Sequence, residues 1–282
     1  MIVVTGATGN VGRPLVRALA GAGEDVTAVS RHVPDDLPDG VRHRAADLAD
    51  LETLRPALDG ADALFLLIAG PLLGSPAGPG PRDVLDVVKA SGVANVVLLS
   101  SQGAGTRPES PAHARLRAFE EAVRESGLDW TILRPGGFAS NAYAWAEPVR
   151  AHRSAAAPFA GVALPFVDPA DIAEVAAAVL REGGHAGRVY ELTGPAPVTP
   201  RDRARIIGEA LGEPVAFTEQ TREEARAQML EFMPEPVVDA TLDILGEPTA
   251  AERRVSPDVQ KVLGRPARSF AQWAAGAVAA FR

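Results

Sequence analysis

Cysteine is absent from this 282-residue chain, and lysine nearly so: of its 28 cationic residues only Lys89 and Lys261 are lysines. The first absence excludes disulfides, thiolate catalysis and cysteine-ligated zinc or iron–sulfur centres, and makes a reducing cytoplasm the expected setting. The second leaves two positions for any chemistry that needs an amine. Tyrosine is confined to Tyr143 and Tyr190, and aromatic residues total 5%. The histidines, at 32, 43, 113, 152 and 185, show neither His-x-x-x-His nor His-Glu-x-x-His spacing, so no metal site is expected. A Gly-x-Ser-x-Gly elbow is also missing. The longest apolar run, about 63–73, is broken by Gly70-Pro71 and falls short of the roughly 18 residues that span a bilayer. No basic leader precedes the strand-like start Ile2-Val3-Val4, so a cytoplasmic protein without a membrane partner is expected. A net charge of −8 argues against nucleic acid as a partner. With 46% hydrophobic and 23% charged residues, the composition is that of a globular protein of one large domain, or one with an appendage.

What the chain does contain is an alternation of β-branched runs with amphipathic stretches. Strands are expected at 2–4, 25–29, weakly at 41–45, then at 63–68, 95–99 and 130–133, with a returning strand at 189–192. Val11, Leu15, Leu19 and Ala22 recur at near-helical spacing; Leu51, Leu54 and Leu58 line a short helix; others cover about 81–91 and 112–126. The apolar runs 63–68 and 95–99 suit strands covered on both faces. This order implies an α/β fold, a Rossmann-type doubly wound parallel sheet. Asp168 and Pro169 suit the N-cap and first turn of a further helix. Residues 71–81, with four prolines and three glycines, read as a loop over the sheet's carboxyl edge. From Pro135 to about Phe166 the pattern is irregular, and beyond about 195 it is helical with Pro and Gly punctuation.

The strongest signal is Thr5-Gly6-Ala7-Thr8-Gly9-Asn10-Val11-Gly12, a Gly-x-x-Gly-x-x-Gly turn directly between the first strand and the first helix. Gly6 permits a tight turn, Gly9 a close approach of backbone to pyrophosphate, and Gly12 close helix packing, while the helix N-terminus offers free N–H groups. Gly6, Thr8, Gly9, Asn10, Val11 and Gly12 are the candidate cofactor contacts here. The other reading is a Gly-rich turn in a fold that binds no cofactor. The second strand ends in Ser30-Arg31-His32, where NAD binders place a carboxylate. Arg31 would instead pair with a 2′-phosphate, which makes NADPH (NADP+) the expected cofactor; the alternative is a solvated surface arginine. Asp47-Leu48 follows the third strand where adenine would lie, and Asp47 either bonds the adenine amino group or caps the next helix.

Together with Leu98-Leu99-Ser100-Ser101, the run Ser126-Gly127-Leu128-Asp129-Trp130-Thr131-Ile132-Leu133-Arg134-Pro135, Phe138, Asn141 and residues 167–173, these motifs resemble the atypical short-chain dehydrogenase/reductases. Within them, they resemble the NmrA-like group and its quinone-oxidoreductase-like members. The resemblance runs from residue 1 to about 195, and more loosely to the end. It implies that Leu67, Ile68, Ala69, Ser100, Pro135, Gly136 and Phe138 flank the ribose and nicotinamide. It also implies that 138–165 and the C-terminal helices cover the substrate. Residues 1–137 are then the NAD(P)-binding core, and 138–282 a smaller, mostly helical covering part from which 167–195 returns to the core. Monomer and homodimer are both compatible.

The superfamily's usual Tyr-x-x-x-Lys pair is absent, since Glu147 and Gly194 lie four residues beyond the two tyrosines. An ungapped count back from Trp130 puts the tyrosine position on Ala112 and the lysine position on Leu116. A one-residue gap puts them on His113 and Arg117, at i and i+4 of one helix face. His113 is therefore the candidate catalytic residue, with a solvated helix histidine as the alternative.

Hydride transfer to a simple ketone gives an alkoxide, whose conjugate acid has a pKa near about 15.7. A quinone gives a phenolate, with a pKa near about 10, which is easier by about 7–8 kcal/mol at ~1.4 kcal/mol per unit. A site without Tyr and Lys thus suits a quinone or related polycyclic aromatic reduced by positioning. Phe138, Tyr143 and Trp145 cluster beside Asn141, and Met229, Leu230, Phe232 and Met233 form a later apolar stretch. Gln102 and Asn141 are candidates to bond a quinone oxygen. The alternatives are an ordinary second core and loop amides bonded to backbone. The expectation is an NADPH-dependent reductase of a small aromatic or quinonoid substrate. The Ala-, Arg-, Gly- and Pro-rich, lysine-poor composition resembles a high-GC bacterial gene, for which aromatic secondary metabolism is a fitting role. The rival is a non-catalytic NADP(H)-binding redox sensor that regulates a protein partner.

Overall fold

The computed structural model describes residues 1–34, 36–68 and 78–282. Its strands are β1 (Ile2–Thr5), β2 (Val26–Ser30), β3 (Arg42–Ala45), β4 (Ala63–Leu67), β5 (Asn95–Leu99), β6 (Asp129–Pro135), β7 (Ser154–Pro158), β8 (Arg188–Leu192) and β9 (Ala216–Gln220). Seven of them form one sheet in the order β3-β2-β1-β4-β5-β6-β8, parallel throughout. This is the Rossmann-type doubly wound order with one strand added beyond β6.

The period-two alternation of strand side chains decides how the sheet is covered. Ile2, Val4, Phe65, Val97, Leu99 and Leu133 point into one core, shared with the helices Gly12–Gly21 and Pro169–Arg181. Val3, Leu64, Leu66, Val96, Leu98 and Ile132 point into the other, shared with Pro81–Ala90 and Ala114–Glu125. Both faces are therefore buried, which is why these strands read as continuous apolar runs. The edge strand β3 exposes most of its residues, in keeping with its weak signal.

Asp168 caps its helix as expected, its Oδ1 accepting from the Ala170 N–H at 2.8 Å with Pro169 in the first turn. Three features depart from the sequence reading. The expected 112–126 helix begins at Ala114, after a 3₁₀ turn at Pro111–His113. The irregular stretch holds a 3₁₀ segment at Ala139–Trp145, the helix Ala146–His152 and β7. β7 then pairs in parallel with β9, which interrupts the helices beyond 195. These pieces enclose a third core that includes Trp145, Phe166, Ile207, Phe270, Trp273 and Phe281. Of the loop at 71–81, residues 71–77 lie outside the described residues.

Candidate active site

The carboxyl ends of β1 to β6 lie along one edge of the sheet, and the candidate cofactor residues follow them one strand at a time. After β1, Gly6 has φ +65°, the left-handed conformation a tight turn needs. A Cβ on Gly12 would lie 2.1 Å from the Gly6 carbonyl oxygen and 2.8 Å from the Ala7 Cα. The close approach Gly12 permits is thus to the turn itself rather than to the sheet. The Gly9 N–H donates to Gly6 O and the Arg13 N–H to Gly9 O. Those of Asn10, Val11 and Gly12 meet no acceptor among the described residues, so the turn presents a cradle of free donors that suits a pyrophosphate. The Val11 side chain is buried in the core, leaving its backbone as the available group. Thr8 is exposed, and the Asn10 amide donates to Ser140 Oγ at 3.3 Å.

At the end of β2 the Ser30 hydroxyl is already engaged, donating to His32 O at 2.6 Å and lying 3.0 Å from His43 Nε2. Arg31 is exposed and bonds no described residue, whereas Arg13 and Arg17 are both held by Asp36. Asp47 is not the N-cap of the following helix: Asp50 caps Leu51–Leu54, while Asp47 Oδ1 accepts from the Ala49 N–H. Leu48 is half-buried against the sheet's second core and Ile68 is buried within it. Ala69 lies outside the described residues.

At β5 and β6 two of the expected site residues have other partners. The Ser100 hydroxyl is engaged, donating to the buried carboxylate of Glu120 at 2.7 Å. Arg134 grips the same carboxylate at 2.8 and 2.5 Å, and Arg124 adds a contact at 3.0 Å. Burial pushes the Glu120 carboxyl up, but these donors outweigh it and hold its pKa below the ordinary value. Phe138 packs its ring on the main core and pairs its backbone with Val167, so it is not part of the cavity wall.

Beyond these strand ends lies a cavity of about 940 Å³. Ser101, Gln102, Gly103, His113, Pro135 and Gly136 line it on the sheet side. Asn141, Trp145, Phe166, Arg203 and β7 form further walls, and Met229, Phe232, Met233, Ile244 and Leu245 approach from the helices Arg222–Met229 and Glu235–Gly246 and the turn between them. Leu230 is not among the lining residues. Neither is Tyr143, which instead packs edge-on to Trp273 at 5.3 Å and stacks near Phe281 at 6.0 Å. Trp145 belongs to both readings at once, since it lines the cavity, lies in the third core, and donates from Nε1 to Ala156 O at 2.9 Å.

His113 lines this cavity from the end of the 3₁₀ turn and is not a solvated helix residue. Its ring lies so close to Gly103 that a Cβ there would meet Nε2 at 2.3 Å. Nδ1 is buried without a hydrogen-bond partner among the described residues. Burial and the Arg117 charge, with a smaller push from Arg107, outweigh the opposing Glu252 carboxylate and lower the imidazole pKa below its ordinary value, so the neutral ring prevails at pH 7. Arg117 is not a cavity residue; its guanidinium donates to the carbonyls of Arg107 and Ser110. Neither register brings its second residue to the cavity: Leu116 is buried in the sheet's second core, just as Arg117 is turned to those carbonyls.

Sequence reasoning missed Arg203, Phe166 and the β7 wall. One of three arginines at alternate positions in a helix carries no mark of burial, and Phe166 lies far from Trp145 in sequence.

Comparison with known proteins places this geometry. The family described as NAD(P)H-binding matches residues 6–183. A (4-alkanoyl-5-oxo-2,5-dihydrofuran-3-yl)methyl phosphate reductase of Streptomyces griseus subsp. griseus is 37% identical, over 100% of this chain and 99% of its own. An NAD(P)H azoreductase of Xenophilus azovorans is 34% identical, with the same coverage of both chains. The solved structure of an NADPH-dependent quinone oxidoreductase of Escherichia coli, complexed with NADPH, superposes with a TM-score of 0.80 at 25% identity, covering 98% of this chain and 99% of that one.

Proposed function

The chain belongs to the NAD(P)H-binding family, and on that premise we propose that it is an NADPH-dependent reductase acting on a quinone or related polycyclic aromatic. The observation that carries this reading is the cavity of about 940 Å³ over the ends of β5 and β6, lined on that side by a neutral histidine and no tyrosine or lysine. NADPH supplies the hydride when bound. The free N–H groups of Asn10, Val11 and Gly12 hold its pyrophosphate and Arg31 its 2′-phosphate; Asp47 and Leu48 border the adenine, and Ile68, Pro135 and Gly136 the rest. By their names the relatives above reduce an (alkanoyl-oxo-dihydrofuranyl)methyl phosphate, an azo compound and a quinone, acceptors that share conjugation.

Conjugation is what this site asks of a substrate. It has no phenol or ammonium to protonate an alkoxide, so the acceptor must delocalise the charge it gains. Gln102 and Asn141 orient the acceptor's oxygens. His113, whose ring makes no bond to any described residue, donates one hydrogen bond to the oxygen that becomes anionic. Trp145 and the methionines supply a flat, adaptable wall, and the covering helices keep water from the ring. Turnover of aromatic metabolites in a bacterial cell is the setting this chemistry fits.

Purified protein is expected to oxidise NADPH with a naphthoquinone and not measurably with a simple aliphatic ketone. His113→Ala lowers kcat with the quinone by about tenfold or more. Robust ketone reduction, or no oxidation with any quinone, defeats the proposal. In the second case, NADP+ and NADPH having different effects on a partner's binding would establish the sensor role instead.

A further inference from the structure

Arg203 is a buried charge without a counter-charge among the described residues. It stands in the first turn of Pro200–Leu211, is 6% exposed, and lines the cavity. Its guanidinium lies over two rings, 4.1 Å from the Phe166 centroid and 4.9 Å from that of Trp145. Nε is buried with no hydrogen-bond partner among the described residues. Burial alone, with no carboxylate acting on it, pushes its pKa down to about 10, so it is still a cation at neutral pH. Its place at the positive end of a helix dipole adds a further unfavourable interaction. The ring faces offset part of this cost, but they leave the guanidinium's edge donors without acceptors.

The other charged residue lining the cavity, among those described, is Glu252. It is fully engaged, by Arg107 at 2.8 and 2.9 Å, by Thr106 Oγ1 at 2.8 Å and by the Thr249 N–H at 2.8 Å. His113 is neutral. A largely apolar cavity therefore holds one uncompensated charge, and that charge is positive.

We propose that the cavity takes an acceptor bearing an anionic oxygen group, a carboxylate or a phosphate, and that Arg203 is the residue that selects it. This rests on the reading of the cavity as the reductase's substrate site and names the substrate class. A planar fork fixed between two rings is already oriented for two parallel hydrogen bonds to such a group. A neutral acceptor would fill the cavity and leave the cation unpaired and further desolvated, so the same feature discriminates against it.

The test uses naphthoquinones that carry one short alkyl chain ending in a carboxylate, its methyl ester or a phosphate monoester. The methylenes insulate the ring, so its acceptor strength is constant. The expected result is a kcat/KM about tenfold or more higher for the carboxylate or the phosphate than for the ester. The better of the two anions identifies the native group. Arg203→Met lowers both anions to the ester's level, and Arg203→Lys keeps part of the preference. Equal kcat/KM for the three probes, or a preference that survives Arg203→Met, overturns the proposal. Binding is read separately, by tryptophan fluorescence on titrating carboxylate and ester into NADP+-loaded protein. Arg203-dependent binding of the carboxylate without turnover defeats the reductase reading and upholds the anion site. Equal binding of carboxylate and ester defeats the anion site. Should Arg203→Met not fold, the wild-type and Arg203→Lys preferences carry the test.

Discussion

Arg31 stands exposed at the end of β2 with no partner among the described residues, while the nearby Arg13 and Arg17 are committed to Asp36. A free guanidinium there contributes a charge-assisted hydrogen bond to a 2′-phosphate, on the order of 1.5–3 kcal/mol. NADPH is accordingly expected to bind about tenfold or more tighter than NADH, and Arg31→Ala to remove most of that difference by weakening NADPH alone. Fluorescence titration of both cofactors measures it, and equal affinities in the wild type would take Arg31 out of this role. The glycines of the turn are legible in sequence because their chemistry depends on local position, and the role proposed for Arg31 rests on the same kind of local reading. His113 was half legible, as one residue of two possible registers: it lines the cavity, whereas its partner Arg117 and the rival register's Leu116 do not. Arg203 was not legible, because being buried between Phe166 and Trp145 is a property of the tertiary structure alone.

At the scale of elements, the strands with both faces covered announce themselves through β-branched and leucine runs, and helices through their spacing. β7 does not. Its sequence, Ser-Ala-Ala-Ala-Pro, has the composition of a helix, and it is extended because β9 pairs with it residue by residue from Ser154↔Ala216 to Pro158↔Gln220. The junction of β1 with the first helix yields the clearest element-level prediction. A methyl group gains up to about 1 kcal/mol of helix propensity over glycine. At Gly12 that gain is overwhelmed, since the Cβ would sit 2.1 Å from backbone that must then move. Gly12→Ala is expected to destabilise the protein by about 1–3 kcal/mol and to weaken NADPH by displacing the donor cradle. Gly21→Ala is the control, with nothing within 4 Å of its Cβ; it is neutral or slightly stabilising. Urea midpoints that place the two variants together would refute this account of the turn.

Across the whole molecule, the covering helices are joined to the sheet's carboxyl edge by ion pairs as well as by apolar packing. Asp171 and Glu174, on the helix Pro169–Arg181, hold Arg265 and Arg268. Glu252 reaches from Ala250–Arg253 to Thr106 and Arg107, which follow β5. Burial pushes the Glu252 carboxyl up, but the donors from Arg107, Thr249 and Thr106 outweigh it, leaving its pKa below the ordinary 4.5. The folded protein thus binds fewer protons at this group than the unfolded chain does. Its contribution is complete above the unfolded value and is lost as pH falls through the folded one. Glu252→Gln keeps the shape and removes the charge, and at pH 7 it is expected to cost roughly 1.5–3 kcal/mol. Arg107 still has the carbonyls of Asp243 and Glu247 as acceptors, which limits the loss. As pH falls through the carboxyl's lowered folded-state value, the wild-type group protonates and the two proteins converge. Urea titrations at neutral and acid pH measure the gap; a gap that stays constant across that range would mean that the carboxylate's charge does not tie the C-terminal helices to the sheet.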